Sequence, residues 1–419
     1  MKKSVFLIVC GLFSISFYAQ LLRYNFDERG DTYIQGSFRG QFWLRYTDTN
    51  PGTTIGGEAV NQAVDFSVRR YRVGFQAQIN KKLYFFLLMG NNNINQKTIR
   101  STDFRLLDIL AEYTFSPKLK LGAGKLIFAG PGRYVYFSNG SMMNLDPAIH
   151  QLFTINHHDD VGRNIGMYVK GQLGKLEYNL NVQSIAMPTD AHIKSFGYSK
   201  KHTSFGYASY LKYEFFDDES NRSPYSGGIG TYIGAKKILN LGLGYAFKPK
   251  MFERLIGTDV KHDDYRNLGI DLFIDMPVSE RNAAVTTYLA FNNINLGEKY
   301  VRNIAVNGIF DAEGTSFNGG GNAYPIVGTG NSIMFQFGYL LPKSENHKVR
   351  FQPNFGWKFA DYKGLNQAVN VYDLGLNVFF NGHKSKLSLG YNSRPIFDKS
   401  EKKVSTRKGM FVAQYQIEL

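Results

Sequence analysis

The last eleven residues, Gly409 to Leu419, constrain the fold more than any other stretch. Phe411, Ala413, Tyr415, Ile417 and Leu419 alternate with Met410, Val412, Gln414, Gln416 and Glu418. Successive side chains of a strand point to opposite faces, so one face here is apolar and the other mostly polar. A chain end is usually frayed and polar. A strand that alternates to its last residue implies a sheet closed on itself, with the last strand paired to the first.

The other end of the chain agrees. Met1 to Ala19 reads as a secretory signal, with Lys2 and Lys3 as the charged start and Val5 to Phe17 as the apolar middle. The expected cut follows Ala19. Cys10 lies inside the apolar run without small residues before it, so a lipid anchor is not expected. Removal of the signal leaves a chain without cysteine, which excludes a disulfide framework and a thiolate metal site.

The chain has 34 Phe, 27 Tyr, 43 Gly and only 2 Trp among 419 residues. After residue 19 no apolar run approaches the roughly 18 residues that a membrane helix needs. An exported, aromatic-rich chain of this kind reads as all-β, a transmembrane antiparallel β-barrel occupying residues 20–419. A secreted sandwich or propeller is the alternative.

Alternation assigns the faces. Between Tyr33 and Tyr46, Ile34, Phe38, Phe42 and Leu44 share one parity, and Gln35, Arg39, Gln41, Trp43 and Arg45 share the other. A charge facing lipid at the bilayer midplane costs roughly 2–4 kcal/mol, so the apolar set faces lipid and Arg39 and Arg45 face the lumen. In the second strand Tyr71, Val73 and Phe75 point out, while Arg70 and Arg72 point in. Arg69 has the outward parity and is placed near a strand end, where that cost falls. The same rule sends Asp108, Glu112, Lys170, Lys212, Glu214, Asp271, Asp275, Arg350 and Lys358 inwards. Residues 119–128 put Lys120 and Lys125 on opposite parities.

Sixteen strands emerge, near 33–46, 66–79, 83–91, 104–115, 119–128, 162–171, 175–184, 204–216, 239–248, 266–276, 282–292, 331–341, 348–361, 370–380, 384–392 and 409–419. A seventeenth candidate, Gly228 to Lys236, is short and Gly-rich and is left out. Long and short connections then alternate, as external loops and periplasmic turns do in outer-membrane barrels. The single exception is 217–238. An 18-strand barrel remains open if 217–238 or 293–330 hides another pair. Sixteen strands enclose an aqueous channel. The connection 129–161 is long enough to fold inside and narrow it. The loop 293–330, with Gly319, Gly320 and Gly321, is expected to be mobile.

The formal net charge is +15. Loss of Lys2 and Lys3 leaves 47 basic against 34 acidic residues, a charge of +13. A lipid band must be neutral, so the excess belongs to lumen, mouth and loops. Rings of Arg and Lys make anion or phosphate pores, and a guanidinium fork suits phosphate. The pore-lining, anion-binding candidates are Arg39, Arg45, Arg70, Arg72, Lys125, Lys212, Arg350 and Lys358 on strands, Arg133 in the long loop and Arg163 at its end. Two other readings stay open. Basic rims also bind anionic lipid head groups, and the inward acids would cancel the field if they paired with the arginines.

Phe66 to Gly74, reading F-S-V-R-R-Y-R-V-G, resembles the F-x-x-R-R-x-R-x-G segment of the phosphate-selective porin O and P family. Val161 to Gly166 is similar to that family's G-R-D-I-G segment, with Asn164 replacing the acid. The C-terminal strand resembles the sorting signal of outer-membrane barrels, which more often ends in Phe than in Leu. The resemblance implies a sixteen-stranded porin in the outer membrane of a Gram-negative bacterium, often a homotrimer, whose anion-selective members line the lumen with arginine and lysine. Arg70 and Arg72 are the residues that match the family's motif directly.

Other chemistry is set aside. His157, His158, Asp159 and Asp160, and separately His262, Asp263 and Asp264, are clustered enough for zinc or calcium, yet lie where solvated polar residues are common. No spacing singles out a Ser–His–Asp set. Gly319 to Gly321 is followed by no Gly-Lys-Ser or Gly-Lys-Thr. Nucleic-acid binding does not fit an exported barrel. The expectation is therefore a channel rather than an enzyme, without a cofactor, with outer-membrane lipids around it and small anionic or polar solutes such as phosphate inside it. A general or other solute-specific porin is the main alternative, and a barrel-based enzyme or adhesin a further one.

Overall fold

A computed structural model describes residues 23–95, 102–135, 138–146, 162–185, 196–199, 203–222, 224–225, 228–279, 281–305, 316–345 and 348–419. The expected signal 1–19 and the cluster His157–His158–Asp159–Asp160 lie outside the described residues.

Sixteen strands form the wall. They are β1 Tyr33–Asp48, β2 Gln62–Gln78, β3 Leu83–Asn95, β4 Arg105–Ser116, β5 Leu119–Leu126 and β6 Asn164–Leu173. There follow β7 Leu176–Ser184, β8 Gly206–Glu214, β9 Ile238–Ile256, β10 Asp259–Pro277 and β11 Ala284–Asn295. The circuit ends with β12 Gly330–Leu340, β13 Arg350–Tyr362, β14 Val369–Asn381, β15 Ser385–Phe397 and β16 Val404–Glu418. Each pairs antiparallel with the next. β16 closes on β1 from Arg39↔Glu418 to Thr47↔Met410. Closure leaves no edge unsatisfied in hydrocarbon. Arg23–Asn25 pairs with the start of β1 and extends the seam where β16 ends.

The faces follow the solvents expected of them. Phe38, Phe42 and Phe75 are 36%, 45% and 41% exposed on the outer surface. Aromatic pairs edge the short-turn rim, Tyr113 against Phe115 with ring centres 4.7 Å apart and Tyr213 against Phe215 at 4.8 Å. Tyr46, Phe66, Phe104 and Phe205 lie exposed at the other end. Such girdles sit at the two interfaces of a membrane barrel.

Four expectations need correction. Residues 249–265 are not a loop: β9 and β10 stay paired up to Ile256↔Asp259, with a register shift between Lys248 and Phe252. β15 likewise runs on to Phe397. Beyond the bilayer both faces of a strand meet water, so the alternation that reveals a strand disappears. The third correction is Arg69. Gln41 pairs with Arg70 but Phe42 pairs with Val68, so Arg69 is the extra residue of a β-bulge. The outward parity switches there from Val64 and Phe66 to Tyr71 and Phe75, and Arg69 turns inwards, 4% exposed. Fourth, the Gly-rich part of 293–330 is docked: Asn50 N donates to Gly321 O at 2.7 Å and Asn50 Nδ2 to Gly319 O at 3.0 Å. Of the two places where another pair could have hidden, the described residues of 217–238 add no wall strand, and the described residues between β11 and β12 hold a small separate hairpin, Val301–Ile304 with Tyr324–Gly328.

Candidate functional site

The described part of the long connection after β5, up to Asp146, lies across the barrel interior. Pro131 lies against Gly244 and Gly269, on β9 and β10. Arg133 N donates to Asp271 at 2.7 Å, and Tyr134 Oη donates to Asn292 Oδ1 at 2.6 Å. Further on, Lys386 Nζ donates to Met142 O at 2.9 Å, Asn377 Nδ2 to Met143 O at 2.8 Å and Gln416 Nε2 to Gly140 O at 2.9 Å. Residues 143–145 rest on a row of glycines: Gly338, Gly356 and Gly390, on β12, β13 and β15. A Cβ there would lie 2.2 Å from Met143 Sδ, 2.9 Å from Asn144 Nδ2 and 2.4 Å from Leu145 Cδ1, respectively. Side chains at those positions would push the loop off the wall.

A second loop enters from the opposite end. Residues 215–237 join β8 to β9 at the short-turn rim, the one connection that broke the long–short alternation. The described ones among them fold inwards instead of adding a strand. Thr231 N donates to Ser141 O at 3.1 Å, and Met142 and Gly230 form an antiparallel bridge. Arg133 forks onto Glu219 through two bonds of 2.6 Å, and its guanidinium lies 3.7 Å from the Phe273 ring centre. Tyr134, Tyr210, Phe273 and Tyr288 are buried around it, so one side of the interior is a packed core.

The opposite side carries the arginines of β1 and β2. Arg39 forks onto Glu418 at 2.8 and 2.7 Å and donates to Asn139 Oδ1 at 2.7 Å. Arg45 forks onto Asp65 at 2.8 and 2.9 Å. Arg69 reaches both oxygens of Asp146 at 2.9 and 3.0 Å, and Arg70 bonds the same carboxylate and Gln41 Oε1. Among the described residues Arg72 bonds neutral acceptors: the Tyr71 and Asn91 carbonyls at 2.7 and 2.8 Å and Asn92 Oδ1 at 2.5 Å.

The remaining candidates are dispersed. Arg163 binds Asp108 at 2.7 Å. Lys212 sits between Glu177, Glu214 and Glu219 at 3.0, 3.1 and 3.2 Å. Lys358 donates to Ile326 O at 2.8 Å. Arg350 stands at the short-turn rim, bonded to Asn282 O at 2.6 Å and Leu341 O at 3.0 Å, away from the inserted loop. Lys125 has the outward parity: it pairs across the ladder with Ile109 and Ile165, both exposed on the outer face, and donates to Leu106 O at 3.0 Å. It does not face the lumen. Its place at the end of β5 lets the ammonium reach the interface.

Several interior charges went unassigned in the sequence. Arg69 was legible from the parity switch around it. Lys386 and Arg394 were legible from their opposition to Leu387, Leu389 and Tyr391. Asp146 and Glu219 were not, because loops carry no periodicity. Burial alone would raise the carboxyls of these two loop residues. Arg69 and Arg70 hold Asp146 below its usual range, and Arg133 and Lys212 hold Glu219 down to about 2.

Beside the tip of the inserted loop an open cavity remains, lined by Asn144, Asp146, Tyr324, Asn354, Asp373 and Arg394 among others. No group of three or more His, Cys, Asp or Glu able to hold a metal occurs among the described residues. There, Asp263 and Asp264 are paired with Arg254 at 2.6 Å and Arg266 at 2.8 Å.

No model of a known protein family matches the chain. No curated protein matches it either. Solved structures do. The chain is similar to OprB of Pseudomonas putida, with TM-score 0.55, 11% identity, and coverage of 91% of this chain and 94% of that one. It is similar to the outer membrane channel DcaP of Acinetobacter baumannii, with TM-score 0.52, 10% identity, and coverage of 94% and 99%. It is also similar to an anion-selective porin from Comamonas acidovorans, with TM-score 0.51, 10% identity, and coverage of 93% and 100%. At such identities the likeness is one of fold: a closed sixteen-strand antiparallel barrel of the porin type.

Proposed function

We propose that the chain is an outer-membrane porin of a Gram-negative bacterium, passing small polar solutes passively and with a mild bias towards anions. One observation supports this most: a barrel with an apolar belt outside encloses a polar interior that its own loop narrows, beside an open cavity. Passive passage asks for no catalytic group.

The bias rests on the wall at β1 and β2. Arg39, Arg45, Arg69, Arg70, Arg72 and Arg163 meet Asp65, Asp108, Asp146 and Glu418, two more guanidiniums than carboxylates. Uncompensated cations favour anion entry. Phosphate specificity gains little by comparison. The forks of Arg39, Arg45, Arg133 and Arg163 already hold carboxylates, so a phosphate would have to displace an internal partner. The same pairing favours, as a second reading, a porin without charge preference. Assembly as a homotrimer, in contact with outer-membrane lipid, belongs to the proposal.

Planar-bilayer recording with purified protein is the test. Stepwise conductance with a reversal potential on the anion side of zero in a KCl gradient is expected. A bilayer without steps would overturn the porin reading. A cation-directed potential would overturn the bias alone.

A further inference from the structure

The cavity beside the inserted loop has a mixed hydrogen-bonding character. Three of its amides donate internally. Asn392 Nδ2 donates to Asp373 Oδ1 at 2.8 Å, Asn354 Nδ2 to Gln352 O at 3.3 Å and Asn377 Nδ2 to Met143 O at 2.8 Å. Arg394, 1% exposed, directs its guanidinium at Asn50 Oδ1 and at the carbonyls of Asp48 and Gly409. Acceptor oxygens of Asp373 and Asn144 remain, beside the hydroxyl of Tyr324 and the amide of Asn144. Among the described residues Asp373 has no basic partner, and Asn392 is its only hydrogen-bond donor. Asn144 is 6% exposed and its Oδ1 has no hydrogen-bond partner among the described residues. A buried acceptor left unmatched costs stability unless a ligand or water supplies a donor.

The charges around the cavity decide which donor fits. Arg69 and Arg70 stand behind Asp146, and Arg394 lines the same cavity as Asp373. A free cation meets the guanidiniums of Arg69 and Arg70 behind Asp146, and a free anion meets the carboxylate of Asp373. Neither sign is served, whereas a neutral hydroxyl donates without carrying charge. Tyr324 and Leu145, half-buried on the cavity surface, offer apolar faces for C–H groups.

We infer that this cavity is a binding subsite for a small neutral polyhydroxylated solute, whose hydroxyls donate to Asp373 Oδ2 and Asn144 Oδ1 while its carbon skeleton lies against Tyr324 and Leu145. The inference rests on the porin reading and names a solute class for the same passage.

The test is current block in planar bilayers holding the full protein in KCl, titrated with glucose. Saturable block is expected, weakened about tenfold in Asp373→Asn, as for loss of one hydrogen bond to a charged group. Asn144→Leu, which leaves the wall untouched, should weaken it in the same direction. Normal KCl steps that glucose never blocks would overturn the subsite and leave the porin reading standing. Equal block in both variants would also overturn it, as would block by ethylammonium in place of glucose. Absence of KCl steps would remove the porin reading and this inference with it.

Discussion

Arg69 and Arg70 are consecutive in the chain, yet both donate to the carboxylate of Asp146. Regular strand geometry would place them on opposite faces. The bulge at Arg69 turns both towards the lumen, and Asp146 from the inserted loop neutralises one of the two charges.

Asp146→Asn should therefore leave two guanidiniums facing one neutral amide. The reversal potential in a KCl gradient should move further to the anion side, with the permeability ratio rising by roughly twofold, since partly buried charges are poorly screened. Arg72→Ala should move it the other way. Identical potentials in both variants would separate selectivity from this wall.

Arg133 and Glu219 tie the two inserted loops together deep inside the barrel. Glu219→Gln alone strands a buried guanidinium, an imbalance on the order of 3–5 kcal/mol. Single-channel traces of that variant should become noisy as the loops loosen. Arg133→Met with Glu219→Leu should be quieter than either single change, because no lone charge is left. A double variant noisier than both singles would argue against the pair as the pin.

The two tryptophans report on opposite solvents. Trp43 is buried on the lumen side, where its Nε1 donates to Gln414 Oε1 at 2.8 Å, while Trp357 has the outward parity on β13. Brominated lipid should quench the fluorescence of Trp43→Phe, which retains Trp357, and leave Trp357→Phe largely unquenched. The reverse order would invert every facial assignment.

Gly390 makes room for Leu145. Gly390→Val should force the loop tip away from β15 at a cost of about 1–3 kcal/mol, typical of overpacking. The heat needed to unfold the barrel on a gel should fall. Adding Leu145→Ala should restore much of it. Failure of that rescue would locate the strain elsewhere.

The wall was legible because lipid imposes a rule on every second residue. Phe38 and Arg39 could not exchange places without exposing a charge to hydrocarbon, so all sixteen strands could be placed from sequence. Above the bilayer the rule lapses, and the extensions of β9, β10 and β15 went unseen for that reason. The partners of the arginines were illegible for another. Arg69 meets Asp146 across 77 residues, and Arg133 meets Glu219 across 86, through loops whose paths no period encodes. Summed charge therefore overstated the interior field, since a carboxylate brought in by a loop counts against a strand arginine only after folding.

The bridge between Met142 and Gly230 joins chain that entered from one mouth to chain that entered from the other. The two rims are thus in mechanical contact through the middle of the molecule. A shift of either loop is therefore passed directly to the other at mid-depth.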